Sequence, residues 1–142
     1  LFYICDRLPR FRGGALDARG NGEYLAEVAR QEYGPNRIIE VKLSQEWYRE
    51  NMPRFKSAFE DKETFIPKDG DTLDDHRAVK MVKGIANVPD TGRTKGRDGQ
   101  QRHGDSAIAH ALGNFAVKEF KGNGEVEYKT TIKRRFATKG AW

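Results

Sequence analysis

Gly14-Ala15-Leu16-Asp17-Ala18-Arg19-Gly20-Asn21-Gly22 is the stretch on which the fold turns. A short apolar run ends on an acid, and glycines that tolerate a tight turn follow at once. The spacing then predicts a helix over 23–33, with Tyr24, Leu25, Val28 and Ala29 on one face. Gly34-Pro35-Asn36 stops that helix. Arg37-Ile38-Ile39-Glu40-Val41-Lys42-Leu43 is rich in β-branched residues and reads as a second strand. Strand, helix, strand within thirty residues is the signature of a crossover between strands of one sheet.

The same alternation continues outward. Ser44 is placed to cap a helix in which Trp47, Tyr48, Met52, Phe55 and Phe59 recur at helical spacing, with a kink or break expected where Pro53 interrupts it. Thr64-Phe65-Ile66-Pro67 reads as a short extended piece at a sheet edge or end. Asp71-Thr72-Leu73-Asp74 resembles a capping box that opens a helix through Val82. Residues 85–89 read as a strand, 90–101 as a loop, and 105–120 as a helix with Ile108, Ala111, Leu112, Phe115 and Ala116 on one face. Val126, Tyr128, Thr130 and Ile132 alternate as in a strand or an extended arm. The order argues for an α/β fold, in which ligand sites lie at the carboxyl ends of strands. Residues 1–8 form a short apolar element of no assigned type, and the chain opens on Leu1 rather than Met, as expected of a piece of a longer protein.

At 142 residues the chain suits one domain with a real core, and 37% apolar against 33% charged residues gives a globular, polar profile. No run of about 18 apolar residues suggests a membrane span. Cys5 is the single cysteine, so neither an internal disulfide nor a cysteine metal cluster can form. The net charge of +5 is unevenly placed. Arg93, Lys95, Arg97 and Arg102 stand against Asp98 alone in one loop, and the tail carries Lys133-Arg134-Arg135. Such clustering suits a polyanion such as a nucleic-acid backbone. A solubilising loop and tail is the plainer reading.

Asp17 at a strand end and Asp105 at the start of a helix, in Arg102-His103-Gly104-Asp105-Ser106-Ala107, are the candidate metal ligands. Magnesium takes hard oxygen donors, and phosphodiester cleavage with two ions needs carboxylates that converge. The residues leave two readings open for each acid, a metal ligand or an ordinary turn acid and helix cap. His103, two positions from Asp105, suits metal, water or phosphate contact, or is a plain loop histidine. His76 and His110 fall on helices without partner spacing and read as surface or core-edge residues, while Asp71, Asp74 and Asp75 read as helix-start acids. Gly20-Asn21-Gly22 lacks the third glycine of a dinucleotide fingerprint, Leu25 standing there, and no phosphate-binding ATPase loop is present.

Leu8-Pro9-Arg10-Phe11, Leu16 to Gly22, Trp47-Tyr48 with Met52-Pro53-Arg54-Phe55, and Arg102 to Ala109 together resemble the C-terminal nuclease domain of phage terminase large subunits, nearest to those of Mu-like phages and prophages. The resemblance covers roughly residues 8–117. It implies a ribonuclease H-like three-layer fold over residues 1–120, lacking its first strand, with 121–142 as a basic tail. It implies a metal-dependent endonuclease that cuts concatemeric viral DNA during packaging, with three acids holding Mg²⁺ or Mn²⁺ in a two-metal site. Asp17 matches the second acid and Asp105 the third. The first belongs to an upstream strand that residues 1–16 do not match, and Asp6 is not promoted to it; a piece without that strand is expected to be inactive alone. His103 assists near the metal, and Arg93, Lys95, Arg97 and Arg102 approach double-stranded DNA. Portal or procapsid and the terminase small subunit are the implied partners, and the host cytoplasm is the implied location. The alternative is a non-catalytic module that docks DNA or the portal through its basic tail.

Overall fold

A computed structural model describes residues 1–89 and 94–122 of the chain. A short helix α1 (Phe2–Cys5) leads into strand β1 (Gly14–Asp17), helix α2 (Asn21–Tyr33) and strand β2 (Ile38–Val41). Helix α3 (Gln45–Glu60) and helix α4 (Gly70–Arg77) follow. Two hairpins come next, β3 (Lys80–Val82) with β4 (Ile85–Asn87) and β5 (Thr94–Lys95) with β6 (Gln101–Arg102), and helix α5 (Asp105–Gly122) closes the described chain.

β1 and β2 are parallel, in the register Gly14 with Ile38 through Asp17 with Val41, and α2 is the crossover between them. Side chains alternate across a strand, so the pair has two distinct faces. On one face Glu40 of β2 receives Arg30 of α2 at 2.9 Å. On the other, Ala15, Ile39 and Val41 join Leu43, Trp47, Met52, Phe55, Ala111 and Leu112 in the main apolar cluster, drawn from α3 and α5. Each large side chain fully buried there contributes about 1.5–3 kcal/mol. The sheet is thus layered between α2 and the α3–α5 pair.

Several expectations hold and several are corrected. Ser44 caps α3, accepting the Trp47 amide at 3.2 Å. α3 continues through Pro53 as one helix instead of breaking. Pro53 is exposed, so the carbonyl deprived of a donor lies on the side where water can reach it. The buried stripe of α2 is Ala26 and Ala29, whereas Tyr24 is 76% exposed and Leu25 is also exposed. Small side chains let the helix backbone approach the two strands closely, a preference that a count of large apolar residues misses. The cap of α4 is Asp69, which accepts from the Thr72 amide and hydroxyl, both at 2.8 Å. That helix ends at Arg77, and residues 80–82 turn back as β3 instead of continuing it. Residues 64–67 form no strand, and the loop expected over 90–101 contains the β5–β6 hairpin. The expected single sheet is therefore, among the described residues, one parallel pair and two antiparallel hairpins. The alternating segment around 126–132 and the basic tail lie outside the described residues, as does Arg93.

Candidate metal and nucleic-acid site

Asp17 ends β1 in register with Val41. Its side chain therefore lies on the α3–α5 face of the sheet, 37% exposed, with Arg19 Nε 3.2 Å from Oδ1. Tyr48 of α3 reaches the same corner. Burial raises its phenol above the ordinary value, Arg19 pulls it down and Asp17 pushes it up. The glycines of the turn after β1 have distinct duties. Gly20 has φ +52, and a side chain on Gly22 would collide with the Asp17 carbonyl oxygen. The close approach made by this glycine turn is thus to the backbone of Asp17 itself.

The direction of α5 follows from its far end. A methyl group built on Gly13, just before β1, would lie 2.6 Å from the ring of Phe120. The start of β1 therefore meets the end of α5, and Trp47 stacks edge-on against Phe115 at 5.8 Å further along the same helix. α5 runs back along the sheet, so its first residue, Asp105, emerges at the end where β1 finishes. At about 3.3 Å per strand residue and 1.5 Å per helix residue, Asp105 lies roughly 9 Å beyond Asp17 along the layer if the two elements are aligned. Asp105 is exposed. The carbonyl of Gly104 accepts the Ala107 and Ile108 amides at 3.1 and 3.3 Å, and among the described residues the Asp105 carboxylate takes no capping hydrogen bond. His103 is half-buried in the turn before it.

α5 thus carries His103 and Asp105 past the end of β1 at which Asp17 sits, and among the described residues the ion pair of Asp17 is with Arg19. Among the described residues no three His, Cys, Asp or Glu side chains cluster closely enough to hold an ion unaided. A carboxylate is the kind of donor a hard divalent cation accepts, and Asp17 and Asp105 each present one that solvent reaches.

The basic residues divide. Lys95 and Arg97 are exposed on the β5–β6 hairpin. The Arg97 amide points at the Asp71 carboxylate, 3.3 Å from each oxygen, and its guanidinium lies over Gly70. Arg102 turns inward. Its Nε and Nη2 reach the two oxygens of Asp75 at 3.2 and 2.9 Å. Asp75, expected as one of the helix-start acids, is instead fully buried and also accepts from Ser106. Arg102 first, through its hydrogen bonds, holds the Asp75 carboxyl below the usual range against the opposing effect of burial.

Sequence reasoning separated two histidines that the fold joins. His76 Nε2 and His110 Nδ1 are 2.9 Å apart, beside the rings of Phe55 and Phe59. His76 Nδ1 lies 2.7 Å from the Thr72 carbonyl, which only accepts, so that nitrogen carries its proton. In the neutral pair His110 Nδ1–H then donates to His76 Nε2, and the Thr64 hydroxyl donates to His110 Nε2 at 2.6 Å. The two lie thirty-four positions apart in sequence, and no local spacing announces the pair.

A parallel strand pair layered between helices, with Asp17 at the end of β1, defines an α/β chain. It is similar to part of two known proteins. One is "Probable terminase, large subunit gp28" of Escherichia phage Mu, 49% identical over 110 residues, which is 77% of this chain and 20% of that protein. The other is "Mu-like prophage FluMu protein gp28" of Haemophilus influenzae, 38% identical over 128 residues, 90% of this chain and 24% of that protein. The similarity supports a segment of a terminase large subunit of the Mu-like type. The chain spans between a fifth and a quarter of the length of these relatives. No protein-family model matches it, and no solved structure matches it. Among the described residues no helix is long and apolar enough to cross a membrane.

Proposed function

We propose that this chain is part of the DNA-cleaving domain of a viral packaging terminase, a ribonuclease H-like fold acting on double-stranded DNA in the host cytoplasm. The observation that carries the reading is Asp17 at the carboxyl end of β1, on the face covered by α3 and α5, the helix that Asp105 opens. Those two carboxylates hold Mg²⁺ or Mn²⁺ together with an acid from elsewhere in the full protein. The bound cation supplies an activated water and neutralises charge on the phosphate. Arg19 steadies the Asp17 carboxylate, and Tyr48 of α3 stands beside the pair. His103 lies beside the phosphate, and Lys95 with Arg97 meets the DNA backbone. Phosphate contacts carry no base information, so cutting is largely sequence-tolerant. Portal, procapsid and the terminase small subunit are the partners this role requires.

Plasmid nicking by the full-length terminase tests the reading. Asp17→Asn and Asp105→Asn each lower the Mg²⁺-dependent rate by about a hundredfold or more. Unchanged cutting in both variants overturns it. Should deletion of residues 121–142 abolish DNA binding while the two acid variants behave as wild type, a non-catalytic docking module takes its place.

A further inference from the structure

The turn that carries His103 and Asp105 is held at both ends by one buried group. Asp75 of α4 is 0% exposed, and its carboxylate receives four hydrogen bonds. Two come from Arg102, before the turn. Two come from Ser106, after it, the hydroxyl at 2.6 Å and the amide at 3.4 Å. His103, Gly104 and Asp105 form the arch between these tie points. Its crown is Gly104, buried with φ +70, where an added methyl would lie 2.9 Å from Val88 Cγ2 and 3.4 Å from the Asp75 carbonyl oxygen. The arch is therefore pressed onto β4's exit and onto the backbone of Asp75 as well.

A buried carboxylate is a poor device for stability alone, since well-packed apolar residues commonly do as well or better. What it provides is direction. Apolar burial is non-directional, whereas a carboxylate gripping a planar guanidinium by both oxygens fixes an orientation. Asp75 is sealed from solvent and Arg102 is 33% exposed, and beyond the buried crown Asp105 is exposed.

We propose that Asp75 is a positioning residue, whose grip on Arg102 and Ser106 fixes the arch that presents His103 and Asp105 to the divalent cation. The proposal rests on the metal-site reading given above and names the residue that orients it. It also gives Arg102 a role distinct from contact with DNA.

The test uses Mn²⁺ alone, added to the full-length terminase with labelled histidine, and the ring-proton NMR signals of His103 as the reporter. Mn²⁺ held at Asp105 broadens them, and Asp105→Asn abolishes the broadening. Ser106→Ala removes one hydroxyl bond to Asp75 and is expected to raise the Mn²⁺ concentration for half-broadening about threefold. Asp75→Asn raises it about tenfold. The His76 and His110 signals, recorded before Mn²⁺ is added, report that α4 and α5 remain folded; should Asp75→Asn lose them, Ser106→Ala carries the test. A purely structural role for Asp75 lowers the melting temperature but leaves the Mn²⁺ midpoint of the folded protein where it was. A folded Ser106→Ala variant with wild-type Mn²⁺ dependence overturns the proposal and leaves the metal site standing. If Mn²⁺ does not broaden His103 in the wild-type terminase, or broadens it undiminished in both Asp17→Asn and Asp105→Asn, the metal-site reading falls, and this proposal with it.

Discussion

Gly104 and His110 show how much of this fold depends on single side chains, or on the lack of one. At Gly104 the backbone is left-handed and Val88 leaves no space for a β-carbon. Gly104→Ala therefore combines φ strain with overpacking, and urea unfolding is expected to show a loss of about 2–4 kcal/mol. A loss below about 0.5 kcal/mol would mean that the turn relaxes freely. His110 sits among Phe55, Phe59, Thr64 and His76. Burial first, and then His76, hold its pKa below the usual 6.5. A base whose pKa falls on folding binds fewer protons folded than unfolded, so its contribution is complete above 6.5 and declines as pH drops below that value. The wild-type urea midpoint should thus fall between about pH 7.5 and pH 5.5, and His110→Asn should show a shallower fall from a lower starting point. An equal pH slope in both proteins would remove His110 from the account. The acid side has the opposite partner chemistry and the same sign. Asp75 has a lowered pKa, so its contribution is full above 3.8 and is lost as pH falls further.

Among the elements, the β3–β4 hairpin is the least optimised. Its two-residue turn places Lys83 at φ 50 and Gly84 at φ 79. Positive φ at both positions is the turn type that matches the twist of a hairpin, and Asn followed by Gly is the sequence it favours. Lysine gains nothing there and bears the strain of the left-handed region. Lys83→Asn is expected to stabilise the chain by about 0.5–1 kcal/mol, read as a rise in melting temperature; a fall would show that the lysine makes a compensating contact. The same hairpin explains one limit of reading the sequence. Acids at 71, 74 and 75 followed by Val79, Met81 and Val82 look like one helix, because the turn signal Lys83-Gly84 lies beyond it and three-residue strands are too short to show a period. β1, α2 and β2 were legible because short apolar runs, a glycine turn and a Gly-Pro stop each leave a local chemical mark, although β1 is half-buried and not the buried strand its apolar run suggested. The inward face of α2 was not, since alanine gives a weak apolar signal. Asp17 and Asp105 were legible as residue types at element ends. Asp75 was not, because its partners lie twenty-seven and thirty-one positions away and only the fold brings them to it.

For the molecule as a whole, the question is how its excess positive charge meets a polyanion. The net charge of +5 includes arginines whose charge the fold already matches with its own carboxylates. Arg102 lies on Asp75, Arg30 on Glu40 and Arg19 on Asp17. A count of basic residues therefore overstates what is available to DNA, and the β5–β6 hairpin contributes through exposed Lys95 and Arg97 more than through Arg102. Each phosphate that a protein cation neutralises releases counterions, and the slope of log affinity against log salt changes by about 0.9 per contact on duplex DNA. Lys95→Ala is expected to weaken binding to a labelled duplex and to reduce that slope by about 0.9 between roughly 50 and 200 mM salt, read by fluorescence anisotropy. Arg102→Ala is expected to do something different. It strands the buried Asp75, so the melting temperature falls by the equivalent of about 2 kcal/mol, a figure reduced for the partial exposure of the pair. Measured at a temperature where the variant is still folded, its salt slope stays at the wild-type value. If instead Arg102→Ala flattens the slope and Lys95→Ala does not, Arg102 leaves Asp75 to meet the phosphate, and the clasp is a resting state that DNA displaces.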